Sequence, residues 1–385
     1  MRRALVLCCA LAALLGAAPA RPLDNGLART PPMGWNSWNH FGCNVSEQLI
    51  RETADAMASS GMRDAGYKYL VIDDCWEIAR DANGALVADS VRFAHGIRAL
   101  ADYVHSRGLK FGIYTDAGTQ TCQGRPGTLD HEVQDARTFA SWGVDYVKED
   151  WCHARSLDAR TQYAKFRDAL AQSGRPIVLS ICEWGSNQPW DWAPGIGNLW
   201  RTTDDIEDTW PSMLSNLDQS AQHPAAAGPG AWNDPDMLEV GNGRMSDAEY
   251  RAHFSLWAIL AAPLIAGNDL RTMSDATKTI LLNAEVIAVD QDSSGTQGIL
   301  VSSGPPELQA WAKPLADGSR AVALLNRSAA PARIQVTLRR AMITTDSATV
   351  RDLWAHADLG TFAREFGATV PPHDVVMVRM TPVRH

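Results

Sequence analysis

Between residues 30 and about 290, short β-rich runs alternate regularly with stretches of helical periodicity. The segments between the β-rich runs, such as 46–62 and 95–110, repeat their apolar residues at helical spacing, and Ser46 is interpreted as a capping-box start. Strands that alternate with helices predict a parallel sheet with the helices packed outside it. The β-rich runs lie at residues 33–38, 67–75, 109–118, 144–151, 176–184, 198–206, 228–237 and 263–270.

Eight such units within about 260 residues favour a (β/α)8 barrel, whose typical size is roughly 250 residues. A doubly wound open sheet is the competing α/β fold, but no Gly-x-Gly-x-x-Gly sequence follows the first strand. The sequence therefore predicts an α/β fold, a (β/α)8 TIM barrel, over residues 21–295.

After about residue 295 the pattern changes to short alternating runs separated by turn residues. Ile334, Val336 and Leu338 fall on one face of such a run, as the two-residue period of a strand requires. The runs lie at residues 308–315, 319–326, 333–340, 349–355 and 373–380. We predict a C-terminal antiparallel β-sandwich over residues 296–385.

The N-terminus has the pattern of an export signal. Arg2 and Arg3 precede an apolar run, and Ala18-Pro19-Ala20 fits the small-x-small cleavage rule, so residues 1–20 are interpreted as a signal peptide. No later segment is long and apolar enough to span a membrane. The net charge of −9 argues against nucleic acid or an anionic membrane as a partner. We expect an exported protein, whether secreted, periplasmic or lysosomal.

Export makes disulfide bonds an expected feature of the mature chain. Cys43 and Cys75 follow the first two predicted strands, which are neighbours in a barrel, and Cys122 and Cys152 follow the third and fourth. We therefore predict the pairs Cys43–Cys75 and Cys122–Cys152, with Cys182 left unpaired at the mouth of the barrel.

Nearly every predicted barrel strand ends in a polar cluster, at the rim where barrel enzymes place their active sites. Each carboxylate taken singly could be a solvated loop residue or a helix cap, but the repetition favours a site. Tryptophans at the same ends suit a sugar, which stacks its C–H faces on rings. The clusters contain Asp73, Asp74, Asp116, Lys148, Glu149, Asp150, Glu183, Asp204, Asp205, Asp234, Asp236, Asn268 and Asp269.

Strand alternation reduces the number of candidate catalytic acids, because side chains two residues apart share a face. In the fourth strand Lys148 and Asp150 would face the barrel mouth, and in the sixth strand Arg201 and Asp205 would do so. Two carboxylates across a pocket are the requirement for glycoside hydrolysis. The cations would bind sugar hydroxyls and keep one carboxylate ionised, while desolvation raises the pKa of the other.

Two other functions fit the same rim. Acidic strand ends can also hold a divalent metal, but Lys148 and Arg201 would compete for the ligands and no histidine joins the cluster, so no metal is predicted. A non-catalytic sugar-binding protein is disfavoured because both inward carboxylates are present.

Seven segments resemble, in order and spacing, the signature segments of glycoside hydrolase family 27, the α-galactosidases. The resemblance runs from about residue 23 to 295, and the C-terminal part agrees only in its β character. The segments are LDNGLARTPPMGWNSWNHF, YLVIDDCW, GIYTDAGTQTC, VDYVKEDWC, CEWG, WRTTDDIEDTW and GPGAWNDPDML.

The resemblance implies a cofactor-free enzyme, monomeric or homodimeric, that cleaves terminal α-galactosides with retention of configuration. It implies that Asp150 is the nucleophile and Asp205 the acid/base. It further implies substrate contacts from Trp38, Asp73, Asp74, Tyr114, Cys122, Lys148, Cys182, Glu183, Trp184, Arg201 and Asp236.

Within that family, specificity depends on the residues near position 2 of the sugar. Cys182 and Trp184 would leave little room for an N-acetyl group, which disfavours an α-N-acetylgalactosaminidase. Intact Asp73 and Asp74 favour galactose over β-L-arabinopyranose, the other sugar cleaved by relatives. The sequence departs from the family at Glu149, where an aromatic residue usually precedes the nucleophile.

Overall fold

The computed structural model describes residues 22–302 and 304–383. The predicted signal peptide, residues 1–20, lies outside this range. Among the described residues, no helix is long and apolar enough to cross a membrane.

Residues 22–302 contain the predicted barrel of eight parallel strands. Their order is β10-β1-β2-β5-β6-β7-β8-β9, and a parallel bridge from Leu238, just after β9, to Ala266 in β10 closes the ring. The barrel strands are β1 (Met33–Asn36), β2 (Tyr69–Val71), β5 (Lys110–Asp116), β6 (Tyr146–Asp150), β7 (Val178–Cys182), β8 (Leu199–Arg201), β9 (Trp232–Asp234) and β10 (Leu264–Ala266), and the hairpin strands after β2 are β3 (Glu77–Arg80) and β4 (Leu86–Ala88).

The helices surround this sheet. Ser46 caps α2 by accepting a hydrogen bond from the Leu49 backbone N–H. A capping box also needs a Glu or Gln side chain at residue 49 to bond back to the Ser46 N–H, and leucine cannot do so, so the interpretation of Ser46 as a capping-box start was wrong. The helices are α1 (Trp38–Phe41), α2 (Glu47–Ser59), α3 (Met62–Ala65), α4 (Gly96–Ser106), α5 (Glu132–Trp142), α6 (Ala159–Gln172), α7 (Pro189–Trp192), α8 (Trp210–Ser220), α9 (Asp247–Leu260), α10 (Asp275–Leu281), α11 (Ala284–Asp290) and a 3-10 turn (Leu270–Thr272).

Alternation along β6 agrees with the prediction for its two faces. Tyr146 belongs to the cluster inside the barrel, with Val178 and Trp232, whereas Val147 packs in the core between strands and helices. Lys148 and Asp150 therefore share the inner face, and Glu149 lies on the helix side.

Residues 299–302 and 304–383 form a six-stranded antiparallel sheet in the order β11-β12-β13-β18-β15-β16 and a two-stranded sheet, β14-β17, facing it. The predicted sandwich is therefore confirmed. Three strands were missed: β11, which is only two residues long, and β16 and β17, where β16 is exposed along nearly its whole length and has no alternation to detect. The strands are β11 (Ile299–Leu300), β12 (Leu308–Pro314), β13 (Arg320–Asn326), β14 (Ala332–Thr337), β15 (Ser347–Asp352), β16 (Ala357–Ala363), β17 (Glu365–Val370) and β18 (Asp374–Pro382).

The central strand β13 of the six-stranded sheet is buried on both faces. Val322 and Leu324 of β13 pack against the β14-β17 sheet, while Ala323 joins the core that includes the barrel helices. An ion pair between Arg251 of α9 and Asp374 of β18 crosses the same junction. The sandwich is therefore packed directly onto the outside of the barrel.

Candidate active site

A cavity of about 390 Å³ opens at the carboxyl ends of the barrel strands. It is within the size range of small-molecule sites and combines aromatic, cationic and acidic side chains. Of the residues predicted to contact substrate or to act in catalysis, those lining the cavity are Trp38, Asp73, Asp74, Tyr114, Cys122, Lys148, Asp150, Trp184, Arg201, Asp205 and Asp236.

Asp150 lies at the end of β6 and is 5% exposed. Its Oδ2 accepts a hydrogen bond from the Tyr114 hydroxyl at 3.0 Å, and its Oδ1 accepts one from the Trp151 backbone N–H at 2.9 Å. Lys148 shares the inner face and donates to Asp73 Oδ2 at 2.9 Å. Asp150 is thus fixed by Tyr114 of the neighbouring strand β5 and by the residue that follows it, and Lys148 is fixed by Asp73, which follows β2, two strands away.

Two disulfides fasten the loops around the cavity. Cys43 is bonded to Cys75, and Cys122 is bonded to Cys152, the pairing that the strand order predicts. The second bond places the Cys122 sulfur 3.5 Å from Asp150 Oδ2, a contact without a hydrogen bond because a disulfide carries no S–H. Loops that carry site residues are held together across neighbouring strands.

Asp205 lines the same cavity as Asp150, from the loop after β8. Arg201 Nη2 donates to Asp205 Oδ1 at 3.0 Å and lies 3.0 Å from Asp236 Oδ2. The predicted reason for the position of Asp205 was wrong, because β8 ends at Arg201 and alternation does not extend to residue 205. Tertiary contacts in the loop, not the pleat of the strand, bring Asp205 to the cavity.

The backbone at three positions around the cavity adopts positive φ without glycine. The φ angles are 79° at Cys75, 56° at Trp184 and 84° at Asp236. Such conformations cost on the order of 1–3 kcal/mol and concentrate at functional sites. At Asp236 the cost is offset by surrounding hydrogen bonds, including one from Trp257 Nε1 to its carbonyl at 2.8 Å.

Two predicted substrate contacts do not line the main cavity. Glu183 is fully buried and turned outward, where its Oε2 accepts hydrogen bonds from the backbone and side chain of Asn187 at 2.6 and 2.7 Å. The reason is alternation at the end of β7, which points Cys182 inward and Glu183 away. Cys182 lies beneath the cavity, 3.7 Å from Arg201 Nη1, beside a void of about 20 Å³.

Several lining residues were missed because they lie in loops or in the short helix α1, beyond the reach of strand alternation. Glu239 is the most buried carboxylate among them and accepts hydrogen bonds from the side chains of Asn39 and Asn242. Burial raises the pKa of Glu239 to about 7. The missed residues are Asn39, His40, Ile206, Glu207, Asp208, Met237, Glu239, Asn242 and Arg244.

The pKa values of Asp150 and Asp205 are shifted in opposite directions. Burial raises the pKa of Asp150 to about 7, although the positive charge of Lys148 opposes the change. At Asp205 desolvation also acts to raise the pKa, but the charges of Arg201 and Lys148 outweigh it and hold the pKa below the ordinary range. The Asp205 side chain is 67% exposed to the cavity, whereas Asp150 is enclosed.

One group of potential metal ligands borders the cavity among the described residues. It consists of Asp116, Cys122, Asp150 and Cys152, whose ligand atoms lie within 4.8 Å of one another. Both sulfurs belong to the Cys122–Cys152 disulfide and offer no thiolate, and Asp116 accepts hydrogen bonds from the Cys152 and Gly118 backbone N–H groups. This group does not have the ligand chemistry of a metal site.

Glu149, the residue at which the sequence departs from the family, is fully buried on the helix side of β6. Its Oε1 lies 3.4 Å from the Thr128 hydroxyl, and its Oε2 has no partner among the described residues. Burial raises the pKa of Glu149 well above its ordinary value, with the nearby Asp116 adding to the effect. Burial therefore favours the neutral form of Glu149 in the folded protein.

This burial predicts a pH-dependent stability. Above the ordinary Glu pKa of 4.5 the unfolded chain releases the Glu149 proton while the folded chain keeps it, so stability falls as the pH rises. Glu149→Gln removes this titration, and we expect its advantage over the wild type to grow by about 1.4 kcal/mol per pH unit, until the folded-state pKa is reached. Urea unfolding midpoints at several pH values above 4.5 measure the difference. Parallel curves for the two proteins would contradict it.

A (β/α)8 barrel whose rim places carboxylates, cations and tryptophans around one cavity has the architecture of a glycoside hydrolase. The family model described as "Alpha galactosidase A" matches residues 30–292, and the model "Alpha galactosidase C-terminal beta sandwich domain" matches residues 306–380. The chain therefore belongs to the α-galactosidase family.

Individual relatives agree with this membership over most of their length. An "Alpha-galactosidase" of Oryza sativa subsp. japonica is 52% identical, covering 94% of this chain and 87% of that protein. A "Probable alpha-galactosidase" of Dictyostelium discoideum is 50% identical, covering 97% and 98%. The crystal structure of α-galactosidase I from Mortierella vinacea superposes with a TM-score of 0.90 at 38% identity, covering 94% of this chain and all of that one.

Proposed function

We propose that this protein is a retaining α-galactosidase that removes terminal α-D-galactosyl residues. The observation that carries the proposal is the pair Asp150 and Asp205 in one cavity, in a chain of the α-galactosidase family. Each has a cation near it: Lys148 of β6 for Asp150, and Arg201 at the end of β8 for Asp205. Asp150 is the nucleophile and Asp205 the acid/base. The tryptophans provide surfaces for the apolar face of the sugar.

In the first step an Asp150 oxygen attacks the anomeric carbon, and the bond to the leaving oxygen breaks as that oxygen takes the Asp205 proton. In the second step Asp205 removes a proton from water, which attacks the same carbon and releases Asp150. Hydrogen bonds from Tyr114 and the Trp151 backbone fix the Asp150 carboxylate for attack. Two displacements at one carbon restore the original configuration.

The ionisation of the sugar-free protein is opposite to the order that the first step needs, since Asp205 must be protonated and Asp150 ionised. Asp205 is the exposed member, so a bound galactoside would exclude water from it and raise its pKa. Sugar hydroxyls that donate to the Asp150 carboxylate would favour its ionised form. Substrate binding would therefore set both protonation states.

The residues around the cavity also favour galactose as the sugar. The Trp184 side chain lines the cavity and Cys182 lies beneath it, which leaves little space for a substituent as large as an N-acetyl group at position 2. Asp73 and Asp74 also line the cavity, and their carboxylates would bind the hydroxyl groups that distinguish galactose. A sugar that lacks one of those hydroxyls would lose a hydrogen bond to one of these carboxylates.

A panel of three p-nitrophenyl glycosides tests this assignment. We expect kcat/KM for the α-galactoside to exceed that for the α-N-acetylgalactosaminide and the β-L-arabinopyranoside by at least about tenfold, because of steric exclusion and the lost hydrogen bonds. Nuclear magnetic resonance of the first-formed sugar should show the α-anomer. An initial β-anomer would contradict retention, and faster turnover of either other glycoside would contradict the sugar preference.

We also propose that the protein is exported. Two disulfide bonds at the cavity and a signal-like N-terminus support an oxidising compartment. Mass spectrometry of the protein from its host would identify the mature N-terminus, which we expect after residue 20.

A further inference from the structure

The loop that carries Asp205 and the loop that carries Asp236 are joined behind the cavity by one side chain, Asn216 of α8. Asn216 is 3% exposed. Its Nδ2 lies 3.1 Å from the Thr203 hydroxyl and 3.2 Å from the Asp204 carbonyl, both in the loop after β8. The same nitrogen donates to the Pro235 carbonyl, in the loop after β9, at 2.9 Å.

The orientation of this amide follows from its neighbours. Two of the three partners are backbone carbonyls, which can only accept, so the NH2 group and not the oxygen must face the two loops. A buried amide with this set of partners resists displacement, because leaving two carbonyls unpaired is costly. Asn216 therefore ties both loops to the rigid helix α8.

Both loops also meet at the front of the cavity. Asp236 Oδ2 accepts a hydrogen bond from the Ile206 backbone N–H at 2.8 Å and lies 3.0 Å from Arg201, which in turn donates to Asp205. Asp205 is not on a strand. Its position is defined by its own bond with Arg201 and by its two neighbours, Ile206, which is bonded to Asp236, and Asp204, which is bonded to Asn216.

We propose that Asn216 is a positioning residue for the acid/base step, holding Asp205 where it can protonate the leaving oxygen. The inference rests on the proposed role of Asp205. This role can be distinguished from one that only stabilises the fold. Loss of proton donation slows substrates with poor leaving groups more than substrates with good ones. Asp150 is on β6, and the hydrogen bonds to its carboxylate among the described residues come from Tyr114 and Trp151, outside the two loops that Asn216 joins, so attack by the nucleophile is left intact.

The test compares an activated substrate, p-nitrophenyl α-galactoside, with methyl α-galactoside, whose leaving oxygen must be protonated. For Asn216→Ala we expect kcat/KM on the methyl glycoside to fall by about ten- to a hundredfold, the scale of a small misplacement of a catalytic group. We expect the p-nitrophenyl value to fall far less. The Asp205→Ala protein gives the upper limit for this difference in loss between the methyl and p-nitrophenyl substrates.

Asn283→Ala is the matched control. Asn283 is also a buried amide and donates to the Leu353 carbonyl at 3.0 Å, but it does not line the cavity. We expect Asn283→Ala to lower the melting temperature without changing the ratio of the kcat/KM values for the two substrates. If Asn216→Ala does not fold, Thr203→Val removes one of the three acceptors and should shift the ratio in the same direction by a smaller amount.

An unchanged substrate ratio in the folded Asn216 variant, or in Thr203→Val when that variant is used, would overturn the inference. An unchanged ratio in Asp205→Ala would instead reject the proposed role of Asp205. Wild-type turnover measured in the same preparation tests the proposed function separately.

Discussion

Replacing Asp150 with alanine is expected to lower kcat for p-nitrophenyl α-galactoside by on the order of 10⁴-fold or more, because the covalent step loses its nucleophile. The variant should keep the wild-type fold. Asp150 is a buried carboxylate with a raised pKa, so its removal takes away an unfavourable desolvation as well as two hydrogen bonds. Circular dichroism and the melting temperature would establish that the variant is folded.

Glu149→Gln is the matched control for this loss. Glu149 is adjacent in sequence, equally buried and also a carboxylate, but it faces the helices and not the cavity. We expect Glu149→Gln to retain kcat. Turnover by Asp150→Ala at a rate near that of Glu149→Gln would contradict the assignment of the nucleophile.

Azide gives a stereochemical check on the same variant. With the Asp150 carboxylate removed, azide can attack the anomeric carbon of an activated α-galactoside from the vacated face as the aglycone leaves. We expect β-galactosyl azide as the product, identified by nuclear magnetic resonance. Rescue that gave the α-azide would place the missing carboxylate on the other face of the sugar.

Replacing Asp205 with alanine is expected to have the second largest effect, and one that depends on the leaving group. General acid catalysis contributes about 10²- to 10⁴-fold, so we expect a loss of this size on methyl α-galactoside and a smaller one on the p-nitrophenyl substrate. The aryl leaving group departs without protonation, and hydrolysis of the glycosyl-enzyme becomes the slow step. Steady-state and burst kinetics on both substrates measure the difference.

Asp204→Ala serves as the control. Asp204 is the adjacent carboxylate and is also exposed, but unlike Asp205 it does not line the cavity. With azide, the Asp205 variant should form α-galactosyl azide, since azide attacks the Asp150 adduct from the side of the departed aglycone. Equal losses on both substrates would show that Asp205 does not act as the acid.

The sequence predicted those parts of the site that a strand alone positions. Lys148 and Asp150 are two residues apart in a regular strand, and the pleat places both on the inner face whatever the rest of the chain does. The disulfide partners were predictable for a similar reason, because sequential strands of a barrel are neighbours. The family segments added the roles that periodicity does not supply.

The loops were less predictable. Glu183 was expected in the cavity, but alternation at the end of β7 turns it into a buried contact with Asn187. Glu239 and Asn39 are 200 residues apart in sequence and meet at the cavity wall, a contact that no local pattern indicates. Asp205 was placed correctly by an argument that does not apply to it, since the strand had already ended.

The sequence by itself determined the barrel, the sandwich and the inward face of each strand, because these depend on periods of two and 3.6 residues that are visible locally. The tertiary structure alone decided where Asp205 sits, which carboxylates are buried and how Asn216 joins two loops. Those properties depend on contacts between distant segments and on exclusion of water, which exist only once the chain has folded.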